Sequence, residues 1–155
     1  MLRVYVDTSV FGGCFDTEFK EESKRFFKFV NQNLICVLIS PILLKELENA
    51  PDEVKNLLDN LLNKNIEFIE LDNEVIAVRN SYLEKGVLSE RWIDDATHVT
   101  LATCNRADAI VSWNFLHIVR LDKIKMFNQI NLLNSYQKLT IISPKEVFYE
   151  DYKKN

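Results

Sequence analysis

The segment Val4-Tyr5-Val6-Asp7-Thr8-Ser9 decides how this chain is read. Leu2 to Val6 is a short apolar, β-branched stretch that predicts a buried strand, and Asp7 closes it. Outward from there, Leu34–Ile39, Ile66–Leu71, Ala109–Ser112 (entered through Asp108) and Leu139–Ile142 predict four more strands. Helical patterns fill the intervals. Phe19–Asn31 carries Phe26, Phe27, Phe29 and Val30 amid charges. Ser40-Pro41 reads as an N-cap with Pro at the first helical position, leading into Leu43, Leu44 and Leu47. Pro51-Asp52-Glu53 opens a helix with Val54, Leu57, Leu58, Leu61 and Leu62 at helical spacing, and Asp72 caps one through Val75, Ile76, Val78 and Leu83. A further helix is expected over Glu90–Cys104, its apolar face formed by Ala96, Val99, Ala102 and Thr103. A weaker helix lies within 120–135, and Ser143-Pro144-Lys145-Glu146 caps a short last one.

Strands that are uniformly apolar and alternate with helices imply an α/β class. The expected architecture is a central, mostly parallel sheet of about five strands flanked by helices. In such folds ligands bind beyond the carboxyl ends of the strands. Asp7 ends the first strand and Asn114 follows the fourth, so both belong to that edge. One domain is expected over 1–150, with a charged tail at 151–155.

Composition narrows the function. The chain has 155 residues, 47% hydrophobic and 27% charged, a balance of a folded domain rather than a disordered one. Three Gly and three Pro argue against long structureless loops. No apolar run approaches the ~18 residues of a membrane helix, and no signal peptide precedes the first strand. Cys14, Cys36 and Cys104 are odd in number and lack metal-ligand spacing, which fits reduced thiols in a cytoplasmic protein. The net charge of −4 excludes a protein that grips long nucleic acid by bulk positive charge. Any nucleic-acid contact must be local, shared across a dimer cleft, or carried by bound cations.

Four places put a carboxylate or its amide near the functional edge: Asp7, Glu46, the pair Asp94-Asp95, and Asn114. Glu46 is expected in the first turns of the helix that starts at Ser40, and Asp95 early in the helix that holds His98. Converging carboxylates repel unless a cation bridges them. Oxygen-only ligation points to a hard ion, Mg²⁺ or Mn²⁺. Asp94 lies ~100° around the helix from Asp95, so the two do not bind one ion together; a helix-start charge is its simpler role. Read singly, Asp7 can also be a loop cap and Glu46 a solvated helix residue.

In order and context these residues resemble the PIN-domain family, particularly the VapC-type toxins of toxin–antitoxin pairs, over nearly the whole chain. Val4-Tyr5-Val6-Asp7-Thr8-Ser9 is similar to the family's first motif, and Glu46 in Ser40-Pro41-Ile42-Leu43-Leu44-Lys45-Glu46 matches the second acidic position. Asp95-Ala96-Thr97-His98-Val99-Thr100-Leu101-Ala102 resembles the third motif. Asp108-Ala109-Ile110-Val111-Ser112-Trp113-Asn114 resembles the last. Two departures stand out. Asn114 occupies a position where many members carry Asp, and His117 stands where another acidic residue often follows.

The resemblance implies a metal-dependent endoribonuclease that hydrolyses RNA with metal-activated water, works as a homodimer and is silenced by a cognate antitoxin. Asp7, Glu46, Asp95 and Asn114 would be the catalytic and metal-holding residues, supported by Thr8, Ser9, Asp94 and Ser112. Candidates for RNA contact are Arg91, Trp113 as a stacking surface, His117, Arg120, Lys123 and Lys125, although core packing also explains Trp113. Core packing likewise explains the apolar excess in Phe19–Val30 and Leu57–Leu62, where a dimer face is the other reading. Two competing functions remain open. A PIN-like module that binds RNA or a protein without catalysis fits Asn114 and the acidic charge. A phosphotransferase with Asp after its first strand fits less well, because the second Asp expected two residues on is Ser9.

Overall fold

A computed structural model of the protein describes residues 1–149; the expected tail at 151–155 lies outside them. Five strands form one sheet: β1 (Leu2–Val6), β2 (Ile35–Ile39), β3 (Ile66–Phe68), β4 (Ala109–Val111) and β5 (Ile141–Ile142). Their order is β3-β2-β1-β4-β5, and every pairing is parallel. The helices are α1 (Thr8–Gly13), α2 (Lys20–Asn31), α3 (Pro41–Leu47), α4 (Asp52–Leu61), α5 (Asn73–Glu84), α6 (Ile93–Cys104) and α7 (Leu121–Leu133), with single 3₁₀ turns at Glu90–Trp92 and Pro144–Glu146.

Successive strand residues point to opposite faces, and this alternation builds two cores. Val4, Val6, Val37, Ile39 and Val111 face α1–α4, where Phe11, Phe26, Phe29 and Leu43 cover them. Tyr5, Leu38, Ile110 and Ile141 face α5–α7, against Val78, Val99, Leu101 and Phe127. A sheet covered on both sides explains why its strands read as continuous apolar runs.

Ser40 and Asp72 cap their helices through their side chains, accepting from the Leu43 and Val75 amides. Ser143 and Glu146 form a capping box.

The sequence reading needs four adjustments. α1 was not expected, because its Thr-Ser-Val-Phe-Gly-Gly composition has poor helix propensity; Asp7 starts it as N-cap, its side chain accepting from the Ser9 amide. The third strand stops at Phe68, where that side chain is 64% exposed on the edge of the sheet. The fifth strand is likewise shorter than expected. Finally, α6 has no single apolar face, since every residue from Ala96 to Thr103 is buried. The Thr97 and Thr100 hydroxyls donate to the carbonyls of Ile93 and Ala96, which satisfies polar groups inside this central helix.

Candidate metal centre

Asp7, at the carboxyl end of β1, is 5% exposed. Its Oδ1 accepts from the Ser9 hydroxyl at 2.5 Å, and its Oδ2 from the Ser112 hydroxyl at 2.6 Å. Each serine in turn accepts from the backbone after β4: the Trp113 amide reaches Ser9 Oγ at 2.9 Å and the Asn114 amide reaches Ser112 Oγ at 2.9 Å. Two serines thus tie the ends of neighbouring strands to one carboxylate. Burial pushes the Asp7 carboxyl above its ordinary range. The His98 charge and the two serine hydrogen bonds resist that shift, and the Asp95 charge adds to it.

Glu46 stands in the second turn of the seven-residue α3, as expected, one residue before its end, with Glu48 as the C-cap. Its side chain is 32% exposed. Oε1 accepts from the Thr8 hydroxyl at 2.8 Å and from His98 Nε2. Burial favours a raised pKa for Glu46, but the hydrogen bond and charge of His98, with Thr8, bring it below its ordinary value.

His98 is the residue the sequence reading undervalued. It is buried on α6, and both ring nitrogens are engaged. Nε2 donates to Glu46, since an ionised carboxylate only accepts. Nδ1 lies 2.5 Å from the Tyr5 hydroxyl, which lies 2.8 Å from Ser40 Oγ. The Ser40 oxygen also caps α3 by accepting from the Leu43 amide. A buried chain of hydrogen bonds therefore runs from the start of α3, through Tyr5 and His98, to Glu46 near the end of the same helix. Burial depresses the His98 pKa. The Glu46 hydrogen bond and the charges of Asp7, Glu46 and Asp95 outweigh it and raise the group above its ordinary value. The only sequence signal for this chain was alternation: Tyr5 faces α6 while Val4 and Val6 do not.

Asp95, in the first turn of α6, accepts from His117 at Oδ2, 2.8 Å away. The His117 ring packs at a tilt against Trp92, with centroids 4.2 Å apart, and the Arg91 guanidinium lies over the Trp92 ring at 4.9 Å from its centre. Asn114 Oδ1 accepts from the His117 amide at 2.9 Å, which fixes the turn that presents this histidine. Asp94 is exposed and lines a recess together with Glu46.

The proposed RNA contacts divide sharply. Trp113 is not a stacking surface. It is 6% exposed, its indole N–H donates to Ser23 Oγ at 2.7 Å, and it stacks on Phe19. His117 is taken up by Asp95 and Trp92 rather than free for a phosphate. Lys123 donates to the Val87 carbonyl at 2.6 Å, and Arg120 forms a two-pronged pair with Asp122. Arg91 and Lys125 remain exposed. The aromatic beside the carboxylates is Trp92, which the motif-based reading passed over.

The donor set suits a hard cation in kind, because Asp7, Glu46 and Asp95 offer carboxylate oxygens from three separate elements. The protein bonds to Glu46 fall on Oε1 and those to Asp95 on Oδ2, so one oxygen of each has no protein donor among the described residues. Among the described residues, no three His, Cys, Asp or Glu side chains are closed around a single point as a metal cage. No helix among those residues is long and apolar enough to cross a membrane.

No protein-family model matches the chain, and no curated protein matches it. Solved structures do. The crystal structure of VapBC2 from Rickettsia felis bound to a DNA fragment from their promoter aligns with a TM-score of 0.58 at 14% identity, covering 92% of this chain and 98% of that one. FitAcB from Neisseria gonorrhoeae aligns at 0.56 and 14% identity, covering 93% and 99%. FitAB bound to an IR36 DNA fragment aligns at 0.59 and 12% identity, covering 95% and 99%. At these identities the likeness speaks for the fold, and over nearly all of its length this chain has a PIN-like fold.

Proposed function

We propose that this protein is a metal-dependent endoribonuclease of the VapC toxin type, with Asp7, Glu46 and Asp95 holding Mg²⁺ or Mn²⁺ and Asn114 completing the set. The observation that carries the reading is the buried Asp7 at the carboxyl edge of a parallel sheet, both its oxygens held by serines, with Glu46 and Asp95 on the neighbouring helices each held by a histidine. Desolvating the Asp7 carboxylate costs stability, and a divalent cation is a partner that offsets the cost. When bound, the cation would supply Lewis-acid stabilisation of an RNA phosphodiester and lower the pKa of water. The protein's part is orientation. Ser9 and Ser112 fix both oxygens of Asp7, Thr8 and His98 fix Glu46, and His117 fixes Asp95.

A cognate antitoxin, a homodimer and a cytoplasmic setting belong to the same reading. Support for a partner comes from the fold neighbours, which are two-component assemblies by name, two of them bound to DNA. The test is hydrolysis of RNA by purified protein with Mg²⁺ or Mn²⁺. Asp7→Asn and Asp95→Asn should abolish it while leaving the unfolding transition cooperative; equal activity in all three proteins would sink the nuclease reading. A binding module without catalysis is favoured by one feature, the Asn114 oxygen being committed to the His117 amide. It predicts no Asp7-dependent response to Mn²⁺ in a titration.

A further inference from the structure

Beside the carboxylates lies a cavity of about 460 Å³ between α3, α5, α6 and the segment leading into α5. Its lining includes Lys45 and Arg79, together with Glu46, Asp94, Ile42 and Leu71. Neither cation has an ion-pair or hydrogen-bond partner among the described residues, although two carboxylates share the cavity with them. The Arg79 Nε is buried with no acceptor. A buried donor left unpaired is costly, and that cost disappears when an anion with several oxygens enters and gives the Arg79 Nε an acceptor. Ile42 and Leu71, the latter 40% exposed, give the same recess an apolar wall suited to a ribose or base. The volume is that of a small-molecule site.

We propose that this cavity is a nucleotide subsite: Arg79 and Lys45 hold the phosphate of an RNA nucleotide adjoining the one at the carboxylate centre. Glu46 is the shared wall between them, so a strand leaving the carboxylates enters the cavity directly. Arg79 supplies fork-like hydrogen bonds to the phosphate, and Lys45 a point charge. The subsite also explains how an acidic protein holds RNA, through a local pair of cations rather than through its net charge of −4. The proposal rests on the ribonuclease reading for its substrate, but its test does not require cleavage.

The experiment is fluorescence anisotropy of the full chain with a labelled single-stranded RNA of about ten nucleotides, in EDTA, across a salt series. Arg79→Gln and Lys45→Gln should each weaken binding about tenfold. Each should also lower the slope of log affinity against log salt by about 0.7. Arg79→Lys should keep the wild-type slope while losing affinity. Lys64→Gln, an exposed lysine at the opposite edge of the sheet, should bind as wild type, and adenosine monophosphate should compete. Wild-type binding by Lys45→Gln and Arg79→Gln at unchanged melting temperature overturns the proposal. Should Arg79→Gln fail to fold, Lys45→Gln decides alone, because its side chain is exposed. Competition by an acidic peptide but not by the mononucleotide would also overturn it, assigning the cavity to a protein partner. If the RNA-cleavage assay fails while these variants still alter RNA binding, the subsite stands and the nuclease reading falls.

Discussion

Replacing Tyr5 by Phe removes a single oxygen from the centre of the buried polar chain. Tyr5 is fully buried, and its hydroxyl bridges Ser40 Oγ at 2.8 Å and His98 Nδ1 at 2.5 Å. Phe fills the same space, so the change is chemical rather than steric. Two hydrogen bonds are lost at roughly 1 kcal/mol each. Ser40 keeps the Leu43 amide as a partner, whereas His98 Nδ1 is left buried without one, adding about 1–3 kcal/mol. The expected loss is therefore about 3–5 kcal/mol, read as a lower urea midpoint with an unchanged slope. The functional consequence is transmission to Glu46, which Tyr5 does not itself touch. A double-mutant cycle between Tyr5→Phe and Glu46→Gln should show a coupling of at least ~0.5 kcal/mol, because His98 links them. A loss under ~1 kcal/mol, or strict additivity in the cycle, would show that the histidine does not carry the connection.

The His98–Glu46 pair also sets a pH window. His98 is raised above its unfolded value near 6.5, so its contribution is complete below that pH and fades as pH rises through the folded pKa. Glu46 is lowered below 4.5, so its contribution is complete above that pH and fades as pH falls through the folded pKa. The stability gap between wild type and Glu46→Gln should therefore peak between pH 4.5 and 6.5 in urea titrations; a gap independent of pH from 4 to 9 would contradict the pairing. Gly13→Ala tests the contact behind β4. A Cβ there would sit 2.5 Å from Ser23 Oγ and 2.8 Å from Trp113 Nε1, so a substitution that favours a free helix should instead cost about 1–3 kcal/mol. Thermal melting with tryptophan emission reads both the stability and the disturbed indole, and a stabilised protein would refute the packing argument.

What the sequence made legible is whatever depends on local pattern. Apolar runs marked all five strands, and Ser40, Asp72 and Ser143 announced their helix starts, because capping uses a side chain within three residues of the amide it serves. Asp7 and Asn114 could be placed on one edge from topology alone. The support beneath the carboxylates was hidden, because it depends on register between distant elements. Tyr5 reaches His98 across 93 residues and Ser112 reaches Asp7 across 105. Nothing in the local pattern distinguishes Tyr5 from a core aromatic. Trp113 carried two readings, a stacking surface or core packing, and the second holds: β4 lies inside the sheet, and Trp113, two residues past its end, turns inward onto Phe19 and Ser23. Similarly, α1 has little helix propensity of its own and is held by burial of Val10 and Phe11.

Asn114 brings these strands together. As the one amide in the candidate centre it looked like a weakened ligand, yet its oxygen receives the His117 amide and so orients the histidine that binds Asp95. A carboxylate at 114 would accept the same hydrogen bond, so Asn114→Asp should preserve the turn and add one negative charge beside Asp95. If the centre binds a divalent cation, that added charge should tighten Mn²⁺ binding, measured by calorimetry, by several-fold. Asn114→Ala removes the turn-capping oxygen and should cost about 1 kcal/mol, the scale of a lost cap, while freeing His117 from its position. The two variants separate structure from ligation. Unchanged Mn²⁺ binding with Asp beside a loss with Ala would make Asn114 a turn cap only; a gain with Asp and a loss with Ala places position 114 at the cation itself.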